Sequence, residues 1–456
     1  MFDITVKDVL EATGGVLLSG SEDVQIKDVC DDSRRIKEGD LFVPFVGNNV
    51  DGHRFIESAM EIGAATFTSQ HTGIVISEKP YIYVSDVLKA HQALAKYIRE
   101  NRINRIPVIG VTGSVGKTTT REMIATALSE NINTYQTEKN YNSQEGLPTC
   151  VDRITRKHKV AVLEHGIDDV GKMEILSDIS KPDICVITNI GLAHMERFGS
   201  IEVTRREKLA ITTHMNPDGL VLLNGDNPML AELRGQMNEK AQFYGTEEWC
   251  DYRAENIRQE NYKYYYDFVC DDVRIPVELN ALGKHNVGNS LAGLAITRYM
   301  GLDLKKAVEG YKNFKGLRQK LINVPGKYTI IDDTYNASPD SMKASIDVLA
   351  DLDSEGKKIA VLGDMFELGE NSEEFHYEVG KYLATKNIDE LVVVGELSQQ
   401  YVKAVQDSES QIKCYSFKDN GEVALYLMSV MNPEDIALIK ASNGMNLKEI
   451  VENMQG

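Results

Sequence analysis

"VIGVTGSVGKTTTREM", residues 108–123, decides how the rest of the chain reads. An apolar run (VIGV) enters a turn bearing Gly113 and Gly116, and the turn opens into a helix-forming stretch, TTTREMIATAL. That order aims the backbone N–H groups of the turn and of the first helical residues at one point, which is how phosphate is bound. Lys117 would reach a terminal phosphate, and the Thr118 hydroxyl would ligate Mg²⁺. The spacing departs from the common G-x-x-x-x-G-K-[ST] loop. Val111 stands where its first glycine falls, and Gly110 lies one position too early. The stretch reads as a phosphate loop of a variant type, with Gly113, Ser114, Gly116, Lys117, Thr118 and Thr119 as nucleotide-binding candidates.

Outward from this loop the chain alternates apolar strands with helices. KVAVLEHG (159–166), DICVITNIG (183–191) and GLVLLNGD (219–226) read as buried strands, which argues a parallel sheet covered on both faces. YKYYYDFVCDDVRIPVEL (262–279) alternates polar and apolar about Asp271 and Asp272 and reads as an antiparallel hairpin at that sheet's edge. A helix, NVGNSLAGLAITRYMG (286–301), follows. KNFKGLRQKLINVPG (312–326) reads as a hinge. A third unit starts at KYTIIDD (327–333), with KKIAVLGD, ELVVVGE and EDIALIK as further strands. Upstream, short apolar runs end in the helical HQALAKYIREN (91–101). The expected fold class is α/β in three domains. They are a small α/β domain (1–104), a central phosphate-loop domain with a parallel sheet and helices on both faces (105–314), and a Rossmann-like α/β domain (315–456).

Composition limits the possible functions. At 456 residues the chain exceeds one core, and at 42% hydrophobic and 26% charged it has a globular composition. A net charge of −19 argues against nucleic-acid binding but not against small anions held by loops and helix ends. No apolar run approaches the roughly 20 residues of a membrane span, and the N-terminus lacks an export pattern. The six cysteines are scattered, without CxxC pairs, which reads as thiols in a reducing cytoplasm.

Three further side chains stand out downstream of the loop, and two of them, Glu164 and His194, follow strands of one sheet and can converge with Thr118. Glu164 ends a buried strand, at the carboxyl edge where such sheets bind ligands, although a helix-capping acid would occupy the same place. His194 follows another strand end; singly it reads as a satisfied core or surface histidine. Lys208, in REKLAI, reads on spacing alone as a solvated helix lysine.

Taken together these residues resemble the Mur ligases, ATP-dependent amide-bond-forming enzymes of peptidoglycan synthesis. The likeness covers the whole chain. It is carried by TGSVGKTT, by DSRRIKEGDLFVPFVG with DGHRF, and by ITNIGLAHMERFGSIE, LGKHNVGNSLAG, DDTYNASPDSM and LGDMFELGENS in order. YNASPDSM and LGDMFELG are similar to the branch that joins D-alanyl-D-alanine to UDP-N-acetylmuramoyl-tripeptide. The resemblance implies a carboxylate attacking the γ-phosphate of ATP, an acyl phosphate, and its capture by an amine. It implies two Mg²⁺ ions held by Thr118, Glu164, His194 and a carbamylated Lys208, with Lys117 on the transferring phosphoryl group. It also implies that Asn286, Asn289 and Arg318 contact nucleotide, that Asp333 holds the ribose, and that Asn336 lies near the base. Asn140 and Asn142 would contact the muramyl substrate, and Ser33 and Arg34 the uridine diphosphate. The implied enzyme is a cytoplasmic monomer.

Departures are present too. Leu317 stands where a glycine is common, and Ser143 where asparagine is usual. In IALIKASNGMNLKEI (436–450), Ala441 and Asn443 replace the glycine and arginine of a Lys-Gly-Ser-Arg segment. Two other readings follow: a ligase of the same chemistry with another amine acceptor, or a non-catalytic nucleotide-binding scaffold. A scaffold should have lost one of Lys117, Glu164 or His194, and all three are present.

Overall fold

In a computed structural model, which describes residues 4–47, 50–70, 77–237, 241–316 and 319–455, the phosphate-loop strand lies inside a nine-stranded sheet. Val108–Thr112 pairs in parallel with Val160–Glu164 on one side and Ile184–Ile187 on the other. All residues of these three strands are buried, because helices cover both faces and leave no polar side to alternate toward. One face packs on Lys117–Ser129 and His285–Tyr299, where Met123, Ile124, Leu128, Leu291 and Leu294 form a core. The other face shares a core with the N-terminal unit: Leu94 and Ile98 of Val87–Asn101 lie in one cluster with Leu163, Leu176 and Ile187. A buried pair, His91 Nε2 to Asp152 Oδ2 at 2.6 Å, crosses the same junction, and Arg99 spans it to Ser180 O, Lys181 O and Asp183.

The edge of the central sheet carries more than a hairpin. Tyr252–Glu260, Lys263–Cys270 and Val273–Leu279 form an antiparallel meander, and the last turn holds Asp271 at φ 46°. The N-terminal unit has a five-stranded sheet running 16–19, 81–83, 65–68, 40–42, 28–30.

The C-terminal sheet has six strands, in the order 320–324, 328–332, 436–440, 358–363, 390–394, 413–417. All but the first run parallel. The expected hinge over 312–326 is therefore corrected in its second half. Lys320–Val324 is an edge strand, antiparallel to Tyr328–Asp332, and Gly326 turns the hairpin at φ 69°. Pro325-Gly326 is turn chemistry, which marks a hairpin as readily as a linker. The third unit thus begins one strand earlier than KYTIIDD.

Candidate active site

The variant loop fits the strand that feeds it. Val111 is fully buried and pairs with Glu164 and Val186, so the strand continues where the common motif has already turned. Gly113 makes the turn instead, at φ 149°. A Cβ there would lie 2.0 Å from Thr188 Oγ1. Gly116, at φ 82°, starts the helix Lys117–Ser129 and has no side chain with which to cap it. The rest of the loop is pinned to residues 188–191. Ser114 N–H donates to Asn189 O, Val115 N–H to Asn189 Oδ1, and the Thr188 hydroxyl to Val115 O at 2.6 Å. Lys117 Nζ lies back on the loop, donating to Gly113 O (2.8 Å) and Ser114 O (3.0 Å), where a phosphate oxygen would compete for it.

Glu164 is not a cap. It is 2% exposed and its Oε1 accepts from Thr118 Oγ1 (3.2 Å) and Asn142 Nδ2 (2.8 Å). The buried Arg121, one helical turn beyond Thr118, brings Nε to 3.6 Å from Glu164 Oε2. Asn142 is thereby brought to the loop, whereas Asn140 is exposed and, among the described residues, gives its carbonyl to Asn142 N–H. Asn286 and Asn289 face the loop from the start of His285–Tyr299. Asn289 Nδ2 donates to Asn286 Oδ1, and Thr120 Oγ1 donates to Asn289 Oδ1.

Lys208 is not a solvated lysine. It is fully buried, its Nζ 3.5 Å from Ile167 O and 5.4 Å from the centroid of the Phe198 ring. Burial first and the Lys117 charge second hold its amine well below the ordinary lysine value, while Asp168 and Glu207 pull the other way. His194 is likewise lowered, by burial first and then by Lys117. Glu367 opposes this, and Lys208 lowers it further. Lys117 and His194 line the cavity that the loop faces, whereas Lys208 lies behind them and is not among its lining residues.

The loop faces a cavity of about 1740 Å³ between the central and C-terminal domains. Lys117, Thr118, Thr119, Glu164, His194 and Asn289 line one side, and Asp333, Asn336, Lys440 and Asn443 the other. Asp333 Oδ2 accepts from Lys440 Nζ at 2.8 Å and from the Ser345 hydroxyl at 2.5 Å. Lys440 also donates to Asn336 O, so this lysine is committed within its own domain. Ser33 and Arg34 are outside the cavity lining. They lie between the strands Asp28–Cys30 and Asp40–Phe42, and Arg34 is exposed in an ion pair with Asp32. Arg318 lies outside the described residues.

Two contributors carried no individual signal in the sequence. Glu367 accepts from His194 Nδ1 across the domain junction, and Arg121 sits behind Glu164. Both lie in stretches singled out for other reasons, GKTTTREM and LGDMFELG.

A Mg²⁺ ion fits this donor set. Among the described residues no group of three or more His, Cys, Asp or Glu is built to hold a metal. Mg²⁺ needs none, since it is held by one or two carboxylates with phosphate oxygens and water. Glu164 beside the Thr118 hydroxyl meets that requirement.

Residues 25–118, 111–297 and 318–443 match, in turn, the Mur ligase family catalytic domain, the Mur ligase middle domain and the Mur ligase glutamate ligase domain. A UDP-N-acetylmuramoyl-tripeptide--D-alanyl-D-alanine ligase of Bacillus subtilis is 34% identical over 458 residues, covering 100% of this chain and 99% of that one. The crystal structure of MurF from Acinetobacter baumannii superposes with a TM-score of 0.90 at 27% identity, covering 99% of this chain and 98% of that one. MurF ligase from Thermotoga maritima in complex with ADP gives 0.83 at 28% identity, with coverage of 95% and 98%.

Proposed function

We propose a function from the premise that this chain belongs to the Mur ligase family: it is an ATP-dependent ligase that joins D-alanyl-D-alanine to UDP-N-acetylmuramoyl-tripeptide in peptidoglycan precursor synthesis. The observation that carries the reading is the shared cavity in which the phosphate loop of one domain faces Asp333 and Asn336 of the next. One ATP spans that gap, with its phosphates on Gly113–Thr119 and its nucleoside toward Asp333 and Asn336.

The tripeptide's terminal carboxylate displaces ADP from the γ-phosphate. The resulting acyl phosphate is attacked by the amine of D-alanyl-D-alanine, and inorganic phosphate leaves with the former carboxylate oxygen. Mg²⁺, when bound, neutralises charge on the transferring phosphoryl group. The chain's share is positional and electrostatic. Lys117 exchanges its two loop carbonyls for phosphate oxygens. Thr118, Glu164 and His194 present metal-binding atoms, and Asn142 holds Glu164 in place as it meets the muramyl peptide. Arg318 and the pair Asn286 and Asn289 act on the nucleotide, and Ser33 and Arg34 on the uridine diphosphate.

Carbamylation of Lys208 belongs to the same reading. Only a neutral amine adds CO₂, and burial beside Lys117 favours the neutral form. The carbamate would supply an anionic oxygen toward the second Mg²⁺. The three working domains are 1–104, 105–314 and 315–456. The enzyme acts as a monomer, because one chain supplies both walls of the cavity, and in the cytoplasm, where ATP and UDP-sugars are available. Among the described residues no helix is long and apolar enough to cross a membrane.

An ADP-release assay against a panel of UDP-muramyl peptides and amine acceptors tests the assignment. ADP should form only when the tripeptide is present, with D-alanyl-D-alanine as the best acceptor. A better rate with another amine would move the chain to the divergent-acceptor reading, which the neutral Asn443 on the cavity wall favours.

A further inference from the structure

Two loops meet across the junction of the central and C-terminal domains. Each carries a non-glycine residue in the left-handed backbone region, His194 at φ 58° and Glu367 at φ 63°. Such conformations persist where surrounding contacts over-determine them, and they cluster at functional sites. The contacts here are specific. His194 Nδ1 lies 2.5 Å from Glu367 Oε2, and Glu196 N–H donates to Glu367 O at 3.3 Å. Nearby, Asp340 of the C-terminal domain lies so close that a Cβ on Gly191 would come within 2.0 Å of its Oδ2. The segment that presents His194 is thus gripped from the C-terminal domain at several points.

The pairing sets the chemistry of the imidazole. With Nδ1 turned to the Glu367 carboxylate, Nε2 is the ring nitrogen left to face the cavity. Nε2 has no hydrogen-bond partner among the described residues, and His194 lines the cavity. We propose that Glu367 is a positioning residue that reaches from the C-terminal domain to fix the tautomer and aim of His194. The ligand set of the central domain is then complete only when the C-terminal domain is docked. The inference rests on the ligase reading, in which His194 is a Mg²⁺ ligand.

The test uses the full-length chain, with Mn²⁺ standing in for Mg²⁺ and free Mn²⁺ followed by electron paramagnetic resonance in the presence of ADP. Glu367→Ala should weaken Mn²⁺ binding roughly ten- to a hundred-fold, the usual effect of removing a partner that orients a metal-bound histidine. Glu367→Gln should lose less, because its amide oxygen still accepts from Nδ1. In a His194→Ala background Glu367→Ala should add nothing, since the two act as a unit. Turnover should fall while the KM for ATP holds. The Glu367 side chain is 55% exposed, so the thermal midpoint should barely move. Wild-type Mn²⁺ affinity in Glu367→Ala, or a full additional loss in the His194→Ala background, would overturn the proposal. Equal Mn²⁺ binding by wild type and His194→Ala would remove the ligand role of His194 itself, and the positioning role with it.

Discussion

At the scale of single residues, Ala441 and Asn443, where the family resemblance leads one to expect a glycine and an arginine, have different surroundings. Ala441 is fully buried against Gly363, where even a Cβ would come 2.8 Å from the Ala441 methyl. The two positions are complementary, so the methyl group is absorbed by packing. Asn443 is exposed on the cavity wall and supplies a neutral amide where an arginine would supply a charged fork. Lys440 cannot take over that charge while it is bound to Asp333 and Asn336. A charged contact to a carboxylate contributes about 1.5–3 kcal/mol, which is roughly ten- to a hundred-fold in affinity. Asn443→Arg should therefore lower the KM for D-alanyl-D-alanine by about that factor in steady-state kinetics. A low wild-type KM left unchanged by the arginine would show the position to be neutral. Lys208 gives a second test at this scale. Carbon-labelled bicarbonate should add a carbamate resonance that Lys208→Ala abolishes together with activity. Full activity in Lys208→Ala would refute the carbamate.

At the scale of elements, His376 carries a pH dependence. It lies on the helix Ser372–Ala384, with Nδ1 at 2.6 Å from Ser372 O and Nε2 accepting from Met365 N–H at 2.9 Å. That second bond ties the helix to the segment leading to Glu367. Burial lowers the His376 pKa, so below the ordinary histidine value of about 6.5 the unfolded chain binds protons that the folded one resists. Its contribution is present above that value and lost as pH falls. The thermal midpoint should drop between neutral pH and about pH 5, and His376→Gln should make that slope shallower. An unchanged slope would assign the pH dependence to other groups.

The strands that flank the phosphate loop were legible because burial on both faces leaves long apolar runs with nothing to confuse them. Lys320–Val324 was not. An edge strand keeps one polar side, and its Pro-Gly turn looks like a linker. Among site candidates, the strand–turn–helix that carries Lys117 and Thr118 was legible from local chemistry alone, since such a loop is built from neighbours in sequence. Lys208 was not, because its burial depends on Ile167 and Phe198, elsewhere in the chain. Glu367 pairs with a residue 173 positions away, and no local pattern carries that information.

At the scale of the molecule, the N-terminal unit and the central sheet share one apolar core, whereas the C-terminal sheet has cores of its own. The first junction should therefore be rigid and the second mobile. A chain starting at residue 105 would expose the apolar surface that Leu94 and Ile98 cover, and should aggregate. Between the central and C-terminal domains, ATP with muramyl tripeptide should draw Lys117 and Asp333 together by hinge closure. Small-angle scattering should show a smaller radius of gyration with both ligands than with neither. Superimposable profiles would argue against closure.

The central claim is that a carboxylate is activated by phosphoryl transfer in this cavity and then captured by an amine. The direct test labels the terminal carboxylate of UDP-N-acetylmuramoyl-tripeptide with heavy oxygen and follows it through a single round of ligation. One labelled oxygen should leave in the inorganic phosphate and the other should remain in the new amide, with ADP as the nucleotide product. Unlabelled phosphate, or label appearing in AMP, would contradict the account.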